Sequence, residues 1–253
     1  MKEIRFFYAP GLPECEELPA DEAAHCLRVL RLQSGDEIRL TDGQGNFYRA
    51  EITTVSGKRC LFSVKECMPH AREWNGVLRL AVAPTKNMDR MEWLAEKATE
   101  IGFDELTFLD CRYSERKVVK TERIEKILIS AMKQSHKAFK PRLGEMEDFR
   151  RFVTRPFTGQ KFIAHCYDEA DIVGADKDAA EKCMDGGKPF LLSEMDARAD
   201  ALVLVGPEGD FSVDEVRLAL ANGFRSISLG RSRLRTETAA LVAVHLMHVC
   251  HAL

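Results

Sequence analysis

The sequence predicts an α/β protein in two parts, a small β-rich domain over residues 1–72 and a larger parallel-sheet domain over residues 73–253. Three observations predict it. Residues 1 to about 72 carry short β-rich or alternating runs at close spacing, the pattern of a small barrel. From residue 73, short apolar runs alternate with amphipathic stretches of ten or more residues, the pattern of parallel strands joined by helices. Two of those runs end in glycine turns that lead into helices, at Val205-Gly206-Pro207-Glu208-Gly209 and Ser228-Leu229-Gly230. Open α/β sheets bind ligands at such carboxyl strand ends.

Each element has its own signal. In the first part Ile4–Tyr8, Glu37–Thr41, Phe47–Val55 and Leu61–Lys65 read as strands, with a turn over Asp42–Asn46. One helix interrupts them: Asp21 caps Glu22–Leu30, whose apolar face is Ala23, Cys26, Leu27 and Leu30. Pro69–Arg72 serves as a linker. In the second part Val77–Ala83 is a buried strand. Asn87 caps a helix with Met91, Leu94, Ala95, Ala98 and Ile101 inward, closed by Gly102. Leu106–Leu109 is the next strand, and Thr121 caps a helix with Ile124, Ile127, Leu128, Ala131 and Met132 inward. Lys161–Cys166 is a strand, residues 168–200 read as helix and loop, and Ala201–Val205 is a strand. Ser212 and Glu215 form a capping box for a helix that runs to Ala221 and stops at Asn222-Gly223. The last strand ends at Leu229, and an apolar helix, Ala239–His251, follows with Thr236 or Thr238 as its cap.

Composition bounds the function. Of 253 residues, 45% are hydrophobic and 30% charged, an ordinary globular balance. No stretch approaches the roughly 18 apolar residues of a membrane span, and Met1–Arg5 lacks the apolar core of a signal peptide. A cytoplasmic protein with no membrane partner is therefore expected. Eight cysteines are scattered with no Cys-x-x-Cys pair, which leaves zinc ribbons and thioredoxin-like motifs unsupported. His245, His248 and His251 recur along the last helix, but no acidic or thiolate partner stands near them, so no metal is expected. The net charge of −3 disfavours indiscriminate coating of nucleic acid. Between residues 110 and 142, however, ten basic residues face four acids, a local excess of six positive charges. Such a face suits a specific polyanion or a solvated helix surface.

Two segments carry the chemistry. In Val205-Gly206-Pro207-Glu208-Gly209-Asp210-Phe211-Ser212, glycines allow a ligand to approach the backbone, and the following helix start offers free N–H groups. In Ser228-Leu229-Gly230-Arg231-Ser232-Arg233-Leu234-Arg235-Thr236-Glu237-Thr238, a glycine turn leads through three arginines to the last helix. Each alone is a strand–turn–helix connection; both together, about 25 residues apart, mark a binding cleft. No Rossmann fingerprint, Gly-x-Ser-x-Gly elbow or P-loop is present.

The residues resemble the RsmE family, the 16S rRNA (uracil-N3)-methyltransferases of the SPOUT superfamily, along nearly the whole chain. The resemblance is carried by His25–Arg31 and Ser34-Gly35-Asp36, then by Lys86 with Asp89–Glu92, and by Lys97–Gly102. It continues through Ser114-Glu115-Arg116, Gln134-Ser135, Gly206–Gly209 with Phe211-Ser212, Leu229-Gly230 and Leu234–Ala239. It implies a PUA-like N-terminal β-barrel, a SPOUT domain with a C-terminal trefoil knot, a homodimer, and S-adenosylmethionine held in the knot. Two departures stand out. Asp210 occupies the place of a usual third loop glycine, and Arg231-Ser232-Arg233-Leu234 replaces the usual Pro-Arg-Ile-Leu.

The resemblance also implies roles. Arg235 and Glu237 are expected to be catalytic, Arg235 stabilising a developing uracil anion and Glu237 orienting it or acting as base; the structural alternative for each is an ion pair at a helix start. The cofactor is expected against His165, Cys166, Gly206, Pro207, Glu208, Gly209, Leu229, Gly230, Leu234, Thr236 and Thr238. Small-subunit ribosomal RNA, naked or in the assembled 30S subunit, is expected on Arg28, Arg31, Lys86, Arg90, Arg112, Arg116, Lys133 and Lys137. The competing readings are a sister SPOUT enzyme acting on another base or a ribose 2′-oxygen, and a non-catalytic RNA-binding assembly factor.

Overall fold

A computed structural model describes residues 6–168, 172 and 187–252. Parts of the first expected strand and of the 168–200 region lie outside them. The chain forms two compact units: residues 1–73 with Leu128–Lys140, and Trp74–Ile127 with Pro141–Leu253. The segment 128–140, placed by the sequence reading in the second domain, therefore belongs with the first.

In the first unit β1 (Phe6–Tyr8), β2 (Glu37–Thr41), β3 (Asn46–Ser56) and β4 (Arg59–Pro69) form a four-stranded sheet in the order β1-β2-β3-β4. The β1–β2 pair is parallel and the rest antiparallel, with bulges in the long β3–β4 hairpin. Alternate residues face one core, including Phe7, Ile38, Leu40, Ala50, Ile52 and Phe62. The expected single helix is a short α1 (Ala20–Ala24) that runs into a π-helical turn, His25–Val29. Asp21 lies in its first turn; the cap position is Pro19. Ala23 and Cys26 are buried as expected.

Residues 128–140 join this unit because the Asp42–Asn46 turn pairs with them. Gly45 N–H donates to Ala138 O (3.0 Å) and Lys140 N–H donates to Gly43 O (2.9 Å). Gly45 has φ +111°, and a β-carbon there would strike the Phe139 ring at 2.6 Å. Lys133 Nζ also reaches the buried Glu22 carboxylate at 2.5 Å.

The second unit is a seven-stranded parallel sheet: β5 (Leu78–Val82), β6 (Glu105–Asp110), β7 (Arg142–Leu143), β8 (Glu147–Asp148), β9 (Gln160–Ala164), β10 (Ala201–Val205) and β11 (Arg225–Ile227). Its order is β11-β9-β10-β5-β6-β7, with β8 also on β6. The helices are α2 (Met88–Ile101), α4 (Phe149–Val153), α5 (Leu191–Glu194), α6 (Val213–Ala221) and α7 (Thr236–Ala252), with α3 (Thr121–Gln134) divided between the units at residue 128. Strands β9, β10 and β5 are buried on both faces. Ala81, Ile163, Leu202 and Leu204 pack with Phe149 and Val153 of α4 and Val216 and Ala219 of α6. On the opposite face α7 packs on β5, β10 and α2. This double cover explains the continuous apolar strand runs in the sequence. Asn87 caps α2 as expected, its side chain accepting from Asp89 N–H at 3.0 Å, and Gly102 closes it. The last helix starts at Thr236, not Ala239: Ala239 N–H donates to Arg235 O at 2.8 Å, the first helical bond.

Candidate active site

Strands β11, β9 and β10 lie side by side and parallel, with Ile227 and Val205 both in register with Ala164. Their carboxyl ends therefore open on one edge of the sheet. There a cavity of about 720 Å³ is walled by Ala164–Cys166, by Val205–Glu208 with Asp210, by Ile227–Thr236, and by Ala239 and Lys188. The two glycine bends that the sequence singles out thus wall one hollow. Its lining is mixed: Ile227, Leu229, Leu234 and Pro207 are apolar, while exposed backbone at Gly230 and charged side chains supply polar contacts.

The β10 bend is held open by named contacts. A β-carbon on Gly206 would press on the Phe211 backbone nitrogen at 3.0 Å, so the tight fold-back of the loop favours glycine. Asp210 adopts φ +64°, a conformation costly for most side chains. Its carboxylate offsets that cost by accepting from Phe211 N–H and from Cys166 N–H, both at 2.7 Å. The departure from glycine therefore ties the β10 loop to the end of β9. Glu208 is tied as well: Oε1 accepts from Lys86 N–H at 3.1 Å, while Arg116 donates to Lys86 O at 2.7 Å. Behind the loop the expected capping box is complete, with Ser212 Oγ accepting from Glu215 N–H and the Glu215 carboxylate accepting from Ser212 N–H. The other Glu215 oxygen accepts from Arg112 N–H at 2.8 Å.

Electrostatics along the β9 end follow burial. His165 is buried with Nε2 at 2.8 Å from Ser226 Oγ. Desolvation, helped by the Lys188 ammonium, pushes its imidazole down to about 4, so the ring is neutral at physiological pH. Lys188 Nζ donates to the carbonyls of His165 and Tyr167, and burial lowers its ammonium from the usual range. Burial raises the Cys166 thiol, and Asp210 adds to the rise. The wall thus presents a neutral imidazole and a neutral thiol rather than a nucleophile.

Most residues expected at the site wall this cavity: His165, Cys166, Gly206, Pro207, Glu208, Leu229, Gly230, Leu234, Thr236 and Arg235. Gly209, Thr238 and Glu237 are outside its wall. Glu237 is buried with Oε1 at 3.6 Å from Arg90 Nε and with Oε2 unpartnered, so its neighbour is Arg90 rather than Arg235. Among the other expected RNA contacts, Lys86 meets Glu115, Arg112 meets Asp214, Lys133 meets Glu22 and Lys137 meets Glu73. Arg28 and Arg31 are exposed. The exposed Lys86–Glu115 and Arg112–Asp214 pairs are worth little and can yield to phosphates, whereas Lys133–Glu22 is largely buried. Lys188 and Ser226 were not singled out from the sequence; Lys188 sits in a weakly periodic stretch with no motif around it.

The chain matches the model of an RNA methyltransferase domain over residues 72–248 and that of an RNA methyltransferase PUA domain over residues 18–65. It is 42% identical to a Porphyromonas gingivalis protein described as a probable rRNA-methyltransferase, with a TM-score of 0.86 over 98% of this chain and 99% of that one. Ribosomal RNA small subunit methyltransferase E of Rickettsia conorii is 28% identical over 250 residues, 96% of this chain and 94% of that protein. A Legionella pneumophila protein solved with bound S-adenosylmethionine is 26% identical, with a TM-score of 0.82 over 98% of each chain.

Proposed function

Because this chain belongs to the RsmE family of ribosomal RNA small subunit methyltransferases, we propose that it transfers the methyl group of S-adenosylmethionine to N3 of a specific uridine in 16S ribosomal RNA. The observation that carries the reading is the meeting of the Pro207 and Ser232 bends in one cavity of about 720 Å³ at the carboxyl strand edge. Its size and mixed lining fit a nucleoside joined to an amino acid. The backbone of Gly206–Glu208, Leu229-Gly230 and Leu234 would hold the cofactor, with His165 and Cys166 on the third side. Bound there, S-adenosylmethionine supplies an electrophilic methyl group.

The chain's own task is to place uracil N3 in line with that group and to stabilise the charge that appears when N3 loses its proton. Arg235 is the residue for the second part, because it walls the cavity, is exposed to an incoming base and offers a forked set of N–H donors. Glu237 is held at the helix start by Arg90, outside the cavity wall, and is read as orienting that start rather than as the base. N3 faces the partner base in a duplex, so the target uridine is bound unpaired or flipped out. The family resemblance adds a C-terminal trefoil knot, a homodimer and a cytoplasmic setting to this reading. Among the described residues no helix is long and apolar enough to cross a membrane.

The test is labelled methyl transfer to small subunits from a strain lacking the enzyme, followed by nucleoside analysis. The label is expected in 3-methyluridine. Label in a ribose methyl or another base would assign a sister activity, and absence of S-adenosylmethionine binding in calorimetry would assign an assembly factor.

A further inference from the structure

The cavity has a charged mouth that its cofactor does not explain. Arg231, Arg233 and Arg235 fall within five residues, all are exposed, and all line the hollow. None of the three has a carboxylate partner among the described residues, whereas Lys86, Arg90 and Arg112 of the same unit meet Glu115, Glu237 and Asp214. The two carboxylates on the cavity wall, Glu208 and Asp210, are held by backbone groups: Glu208 accepts from Lys86 N–H. Asp210 accepts two backbone N–H groups, and Glu237 is buried against Arg90. Three uncompensated guanidinium groups at one rim make a strongly positive patch. A cofactor with a sulfonium, an ammonium and a single carboxylate calls for at most one guanidinium, not three. An RNA backbone does, because guanidinium forks match phosphate oxygens in a bidentate way.

We infer that Arg231 and Arg233 form a phosphate clamp that grips the single-stranded RNA backbone flanking the target nucleotide, at the mouth of the cofactor cavity. The inference rests on the function proposed above. The loop that closes over the cofactor then also reads the presence of RNA, and Arg235 is left to act on the base. The partner chemistry is a run of phosphodiesters, with Ser232 as a small spacer between the two forks.

The experiment uses the full-length protein with Arg231→Gln and Arg233→Gln together, and a second variant with Lys at both positions. Methyl transfer to under-methylated small subunits is measured over a salt series, and S-adenosylmethionine affinity by calorimetry. Single-strand phosphate contacts each contribute about 0.7 to the log–log salt slope, so the Gln pair is expected to flatten it by about 1.4 and to raise KM for the subunit roughly tenfold. The Lys pair should keep most of the slope, and cofactor affinity should stay within about twofold for both. An unchanged slope in the Gln pair overturns the clamp. So does a large loss of cofactor affinity, which would assign the two arginines to the cofactor's carboxylate. If the unaltered protein transfers no methyl group, the functional reading itself fails, and that result is distinct from either.

Discussion

Asp210 holds a backbone conformation that favours glycine, and it does so by spending both carboxylate oxygens on backbone N–H groups of two different loops. Replacement by alanine would keep the strain and lose both bonds, at a cost of about 2–4 kcal/mol. Glycine at the same place would relieve the strain and should be about 1 kcal/mol less damaging than alanine, as read by urea denaturation. Arg235 gives a complementary case. Arg235→Ala is expected to remove methyl transfer while leaving the melting temperature unchanged, because the side chain is exposed; turnover near the normal rate would contradict its role. His165 titrates near 4 when folded and near its usual value when unfolded. The unfolded chain therefore takes up the proton first, and stability is lost as pH falls from about 6.5 toward 4, then levels off. His165→Gln should flatten that part of a stability-against-pH curve. At this scale the sequence pointed to the two bends that wall the cavity, because glycines, the proline and the arginines cluster at those strand ends. It did not show that Glu237 turns to Arg90, or that Lys188 comes to the β9 end, because both depend on partners far along the chain.

Elements with strong local signals came out close to their expected bounds. β2 and β10 match their apolar runs, and α2 has the Asn87 cap and Gly102 stop that its sequence calls for. The Ser212–Glu215 capping box is another such signal, and it sits directly behind the β10 bend. Ser212→Ala is expected to cost about 1 kcal/mol, a melting shift of about 2–4 °C, and to raise KM for the cofactor; calorimetry and steady-state kinetics check the two effects. Where expectation and structure part, local signals were weak or were overruled. The last helix begins three residues early because polar Thr236 and Glu237 are buried at its start, which an apolar-periodicity argument passes over. The first helix is cut short by a π-turn, with Leu30 N–H bonded to His25 O at 3.1 Å. β7 and β8 span two residues each and exist through pairing with β6, so no pattern announces them.

The largest departure from the sequence reading concerns the whole molecule. A boundary near residue 73 is visible as a change of rhythm, but the claim of the first unit on residues 128–140 rests on backbone bonds from the Asp42–Asn46 turn. A fragment of residues 1–73 lacks those partners and leaves Glu22 without Lys133. It is expected to unfold with lower cooperativity and at lower denaturant than the same region in the full chain, as followed by circular dichroism.

The sheet order places β9 between β10 and β11, although β11 is made last. A chain that ends after β10 therefore has two sides of the cavity and lacks the third. Loss of the stretch from β11 to the start of α7 should leave a protein that is inert rather than weakened.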